Sequence, residues 1–300
     1  MPHTRYPNLF IVGAPKCGTT ALSHYLAGHP QVFMSETAGI KEPYHFASDL
    51  GFTHFGPMIY DESAYLRLFD DAPPSARYRG EASAGYLLSR QAISHIVRQC
   101  EDPRFIVMLR NPVDLAHSLH NEHVKSFGEF PDFETCWQRQ AARLEGRNLP
   151  PRFRNGAALQ YGDMAKIGAQ FERMLGCVDP RHVHVILYDD FSTDTAGTYA
   201  AVLDWLGLAH DGRTEFEKLN PSITYQWPRL EHALRKIRTL RRALRLPGGL
   251  GIHAWIDRHN KRLMREPLRP PFRRQLCDYF RDDVALLSRL LGRDLSHWLN

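Results

Sequence analysis

Short runs rich in Ile, Val, Leu and Phe recur along this chain, and each is followed by sequence with helical spacing. LFIVGA (Leu9–Ala14), RYRGE (Arg77–Glu81), RFIVMLR (Arg104–Arg110) and HVHVILYDD (His182–Asp190) are the strands that the pattern predicts. Runs that stay apolar, rather than alternating with polar residues, indicate strands covered on both faces, as in a parallel sheet. Helices are expected at Thr19–Ala27, Pro112–Lys125, Tyr161–Leu175 and Thr195–Leu206, the last closed by Gly207 as a C-terminal cap. Strands alternating with helices imply an α/β fold with a central parallel sheet and right-handed crossovers. Arg229–Leu246 places Leu230, Leu234, Ile237, Leu240 and Leu244 on one helical face with basic residues around the rest, until LPGGLG breaks it.

Composition adds limits. With 300 residues, 43% hydrophobic and 24% charged, the chain is ordinary globular protein, and one domain over 1–300 with a basic helical cap at about 229–300 is the simplest organisation. The five cysteines are scattered with no C-x-x-C, which argues against a disulfide framework or a zinc site and for a reducing compartment. No apolar run reaches the ~20 residues of a membrane span. The first residues, MPHTRYPN, carry no apolar signal core, so a soluble cytoplasmic protein is expected.

Charge is uneven. Arg229–Arg274 holds 14 Lys or Arg against 3 Asp or Glu, a local +11 in a chain of net +5, so the remainder is acidic. Such a stretch suits an anionic ligand, nucleic acid or a membrane surface, and equally a solvated helix face.

The sharpest chemistry lies in NLFIVGAPKCGTTALSHYL (Asn8–Leu26). A strand, a glycine-bearing loop and a helix present backbone N–H groups and a positive dipole end to an anion. Gly13, Gly18 and Thr20 sit where a Walker loop has its glycines and hydroxyl, but Thr19 occupies the lysine position and Lys16 stands earlier in the loop. The cradle suits phosphate or sulfate alike.

P-K-C-G-T-T between a strand and a helix resembles the 5′-phosphosulfate loop of sulfotransferases that use 3′-phosphoadenosine 5′-phosphosulfate (PAPS). RFIVMLRNPVDLAHSLH (Arg104–His120) is similar to that family's 3′-phosphate motif, with Ser118 eight residues beyond Arg110. The resemblance implies a P-loop-NTPase-like three-layer fold and sulfuryl transfer related to that of heparan sulfate and carbohydrate sulfotransferases. Adenosine 3′,5′-bisphosphate (PAP) would be released, with no metal required. It assigns the phosphosulfate to Lys16, Cys17, Gly18, Thr19 and Thr20, and the 3′-phosphate to Arg110 and Ser118. Tyr188 would lie near the nucleotide, with Tyr225, Lys261 and Arg262 as further contacts. In KEPYHF (Lys41–Phe46) the resemblance makes Glu42 the base, with His45 as the alternative. Many relatives read E-K-[ST] where GEASAGYL (Gly80–Leu87) has Ala82, which leaves Lys16 as the chief cation at the sulfuryl group and Glu81 and Ser83 as lining of an acceptor cleft. The acceptor would be a hydroxyl, less readily an amine, of a glycan, lipid or small molecule. No nucleic acid is implied, and the basic C-terminal helix would offer a peripheral membrane contact.

Two other readings compete. Asp189–Asp190, ending an apolar strand, resembles a Walker B pair and would suit a Mg²⁺-dependent nucleotide kinase or NTPase. The Arg229–Arg274 stretch would suit a membrane or nucleic-acid binder. His117, His120 and His123, spaced i, i+3, i+6, form a candidate metal face or the side of a helix near the acceptor.

Overall fold

Five parallel strands form the central sheet: β1 (Leu9–Gly13), β2 (Val32–Met34), β3 (Tyr78–Glu81), β4 (Arg104–Leu109) and β5 (Val183–Leu187), in the order β2-β3-β1-β4-β5. The computed structural model describes residues 6–51, 58–127, 131–150, 153, 156–217, 224–225, 261–262 and 267–300. The helices are α1 (Thr19–Ala27), α2 (Glu62–Leu66), α3 (Ala92–Gln99), α4 (Pro112–Phe127), α5 (Phe133–Gln138), α6 (Gln140–Leu144), α7 (Tyr161–Ala165), α8 (Ile167–Leu175), α9 (Tyr188–Thr193), α10 (Thr195–Leu206) and α11 (Pro270–Leu291). The chain divides into two compact units, Met1–Leu115 with Gly162–Leu219 and Arg274–Asn300, and Ala116–Tyr161 with Asn220–Arg273.

In the first unit, β1 is central because all five of its residues are buried. Leu9 through Gly13 pair with Arg104 through Met108 of β4, while Leu9 and Phe10 pair with Gly80 and Glu81 of β3. A side chain such as Leu9, Ile11, Phe105 or Ile106, each wholly buried, contributes about 1.5–3 kcal/mol on leaving water. α10 adds Tyr199, Val202, Leu203 and Leu206 to this core and closes on Gly207 in the left-handed region.

The helix expected over Tyr161–Leu175 is two helices, because the chain turns at Lys166. The cap for α8 comes from far along the sequence: Asp283 of α11 accepts from the Gly168 and Ala169 N–H groups, each at 2.9 Å. The last expected strand ends at Leu187, and Tyr188–Thr193 is helical. Its acidic pair, Asp189 and Asp190, falls in the first turn of α9, where a helix favours negative charge.

In the second unit, Asp132 caps α5 by accepting from the Thr135 N–H at 3.0 Å. Phe133 packs edge-on against Trp137 and Phe272. A short antiparallel pair, β6 (Thr224–Tyr225) and β7 (Lys261–Arg262), also belongs here. The basic helix expected at Arg229–Leu246 lies outside the described residues. Among those described, no helix is long and apolar enough to cross a membrane.

Candidate active site

All five strands run the same way, so the segments leaving their carboxyl ends gather at one edge of the sheet, where ligands bind in open α/β folds. The segment leaving β1 is the glycine loop. Gly13 has φ of 145°, and a Cβ there would stand 2.2 Å from the carbonyl oxygen of Met108 on β4. Gly18, with φ of 92°, caps α1 with no side-chain hydrogen bond, and a Cβ there would crowd the Phe191 ring at 3.2 Å and the Met108 methyl at 3.3 Å. The first N–H groups of α1 therefore have no acceptor within the helix. Lys16 also adopts a left-handed backbone, φ 73°, a conformation that a side chain resists by about 1–2 kcal/mol. A lysine held there against that cost points to a constraint from around it.

Part of that constraint is Arg110, which leaves β4 directly and is 8% exposed. Its guanidinium donates to the Lys16 carbonyl at 3.0 Å and lies 4.5 Å from the ring centre of Tyr188, the first residue after β5. One arginine thus braces the loop and stacks on the tyrosine. Cys17 is fully buried, and burial pushes its thiol up to about 12, so its part in the loop is its backbone.

Beyond β5 the acidic pair is tied to the chain's last residues. The Trp298 indole donates to Asp189 at 2.6 Å, Arg293 forms an ion pair with Asp190, and Asn111 donates to the Trp298 carbonyl at 2.9 Å. Both aspartates are thus engaged by groups near residue 300.

The segment leaving β2 brings KEPYHF to the same edge. Lys41 donates to the Thr20 hydroxyl at 3.1 Å and pairs with Glu42, whose other oxygen accepts from the Tyr44 hydroxyl at 2.8 Å. Glu42 is thereby linked through one cation to the first turn of α1. His45 lies elsewhere in the segment: its ring stacks on Tyr65 at 4.1 Å, and Nδ1 meets the Ile59 carbonyl at 2.8 Å. Burial lowers the pKa of His45, which favours the neutral imidazole.

The end of β3 turns inward instead of lining a cleft. Glu81 and Ser83 are both 0% exposed. Glu81 accepts from Tyr65 at 2.6 Å, from Tyr86 at 2.9 Å and from Ser83, while the Ser83 oxygen accepts from the Tyr44 N–H at 3.0 Å. The carboxylate anchors the segment that carries Glu42. Burial raises its pKa to about 7 against the pull of its three hydroxyl donors. A folded carboxyl that holds its proton to higher pH than the unfolded one destabilises the fold as pH rises from about 4 through 7. Wild type should therefore lose roughly 3 kcal/mol over that range from this group. Glu81→Gln should lack this part of the slope in denaturant titrations at pH 5 and pH 8; equal slopes would refute it.

In the second unit, Ser118 is buried on α4. His117 stacks on Phe133 at 5.3 Å, His120 Nε2 meets the Pro131 carbonyl at 2.9 Å, and His123 Nδ1 lies 3.1 Å from the Tyr161 hydroxyl. The described residues contain no group of side chains that could hold a metal ion. Tyr225 and Lys261 face each other in the β6–β7 register and Arg262 pairs with Thr224, while their side chains lie outside the described residues. Sequence reasoning missed Lys41, Phe191 and Trp298. Only Lys41 left a signal, adjoining Glu42 in a motif already singled out.

Residues 7–212 match the family described as Sulfotransferase family. The chain is similar to human heparan sulfate glucosamine 3-O-sulfotransferase 3B1, 28% identical over 207 residues, which cover 67% of this chain and 46% of that protein. It is also similar to mouse heparan sulfate glucosamine 3-O-sulfotransferase 6, 26% identical over 205 residues, covering 68% and 53%. The chain thus spans about half the length of the curated relatives it matches. Among solved structures, a sulfotransferase from Alicyclobacillus acidocaldarius superposes with a TM-score of 0.69 at 26% identity, covering 98% of this chain and 99% of that one.

Proposed function

Because the chain belongs to the Sulfotransferase family, we propose that it transfers a sulfuryl group from PAPS to a hydroxyl, less readily an amine, of a glycan, lipid or small molecule. One observation carries this reading: a glycine loop runs into a helix start whose first N–H groups have no acceptor within the helix, and its crest is held by Arg110 through the Lys16 carbonyl. The cradle fits the donor. Gly13 and Gly18 let the loop pack closely on Met108 and Phe191, and cationic groups approach from the loops after β1, β2 and β4.

Lys16 and the N–H groups of Cys17, Gly18, Thr19 and Thr20 would hold the 5′-phosphosulfate, with the Thr20 hydroxyl beside them. Arg110 would hold the 3′-phosphate, and the sequence motif alone assigns Ser118 to the same group. Tyr188, fixed against the Arg110 guanidinium, would pack on the nucleotide. When bound, the donor supplies an activated S–O bond whose electron pair leaves on the bridging oxygen as the acceptor oxygen bonds to sulfur, giving PAP. Glu42 takes the acceptor's proton; Tyr44 and Lys41 fix its carboxylate in place. Lys16 offsets charge that develops on the bridging oxygen. His45 is the less favoured base, because its ring is committed to Tyr65 and Ile59. None of the five cysteines is in a disulfide, which supports a reducing, cytoplasmic setting.

Radiolabelled PAPS offered with a panel of glycan, lipid and phenolic acceptors in EDTA should give labelled product. Transfer that required Mg²⁺ and ATP would refute the proposal in favour of a kinase. Glu42→Gln should lower kcat by about 10²–10⁴-fold with PAP affinity within twofold of wild type by calorimetry. An unchanged kcat would remove Glu42 from the role of base.

A further inference from the structure

Lys41 holds the Glu42 carboxylate, yet the structure seats it against both halves of the site. Its backbone is fixed where it crosses the end of β3: the Lys41 carbonyl accepts from the Ala82 N–H at 3.1 Å and from the Ser35 hydroxyl at 3.5 Å. From there the side chain, 19% exposed, reaches the Thr20 hydroxyl at 3.1 Å and the Glu42 carboxylate. Two of its three N–H donors are so directed, and the third remains for an anion at the helix start.

The neighbouring strand end offers no competing cation. Ala82 is uncharged, and Glu81 and Ser83 turn into the buried tyrosine cluster. In the sheet order, Lys16 and Arg110 follow β1 and β4, whereas Lys41 follows β2, on the other side of the loop.

We propose, resting on the sulfotransferase reading, that Lys41 is a further catalytic residue: its ammonium binds the oxygens of the transferring sulfuryl group. A carboxylate that serves as base must sit close to an anionic group, and the two charges repel each other strongly in a site shielded from water. A cation between Thr20 and Glu42 removes that repulsion. In the transfer, the acceptor oxygen–sulfur bond forms and the sulfur–bridging oxygen bond breaks with its electron pair going to PAP. The acceptor proton passes to Glu42, and Lys41 keeps its own proton throughout. Lys41 therefore recognises what PAPS has and PAP lacks.

The test compares the two nucleotides by calorimetry, without acceptor. Lys41→Met should bind PAPS about 10- to 100-fold more weakly and PAP within twofold of wild type, with Lys41→Arg recovering part of the PAPS preference. Unchanged PAP affinity also certifies that the variant is folded; Lys41→Gln gives the same comparison should the methionine variant aggregate. Equal losses for both nucleotides, or no loss for either, would overturn the role of Lys41 alone. Wild-type protein that bound neither nucleotide would instead overturn the sulfotransferase reading, and the proposal with it.

Discussion

Lys16→Ala is expected to lower kcat by about 10²–10³-fold, the loss typical when one preorganised charge at a developing anion is removed, and to leave the thermal midpoint unchanged. Stability is spared because the strain at position 16 belongs to the backbone, whose φ is 73°. Alanine and lysine both resist that region, and the bond from Arg110 reaches the carbonyl, which any residue supplies. Lys16→Gly separates the two effects. Glycine enters the left-handed region freely, so this variant should be more stable than wild type by about 1 kcal/mol and as inactive as the alanine variant. Steady-state kinetics beside thermal melts of the three proteins check both halves. An active glycine variant would show that the loop's backbone does the work assigned to the ammonium.

Gly13→Ala should be the more damaging change to the fold. A Cβ at 2.2 Å from the Met108 carbonyl oxygen, with the Met108 nitrogen and carbonyl carbon at 3.0 Å, meets backbone and not a movable side chain. That backbone is fixed by the pairing of β4 with β1 and β5. Overpacking costs about 1–3 kcal/mol and the strained φ about as much again. A loss of about 4 kcal/mol, or roughly 10 °C in Tm, should accompany loss of PAP binding in calorimetry. Gly39→Ala isolates the contribution of φ, since Gly39 has φ of 86° and no atom within 4 Å of the added Cβ. A Gly13 variant that melted with the Gly39 variant would show that the clash had been relieved.

The parts of this fold that could be read along the chain are those whose causes are local. Thr19–Ala27 and Thr195–Leu206, the latter with Gly207 as its stop signal, are observed with the bounds expected. The apolar runs LFIVG and FIVML became wholly buried stretches of β1 and β4 for the same reason. Elements went astray where the cause sits far off in sequence. The break at Lys166 depends on a carboxylate supplied by Asp283. The strand expected to reach Asp190 stops at Leu187, because the next residues begin a helix tied to Arg293 and Trp298.

The site divides along the same line. The glycine loop, Arg110 and Glu42 were visible in contiguous motifs, whereas the inward turn of Glu81 depends on Tyr65 and Tyr86 from other segments. Lys41 was the subtlest omission. Its placement comes from two parallel strands ending side by side, a neighbourhood that the linear order of residues conceals.

The hold of Trp298 on Asn111 and Asp189 bears on how the protein is born. All five strands have left the ribosome well before this indole has been synthesised, so a nascent chain can assemble its sheet while the exits of β4 and β5 are still unfastened. Arg110 and Tyr188 stand at those exits. Until translation reaches Trp298, the segments that carry Arg110 and Tyr188 must hold their places without these two hydrogen bonds.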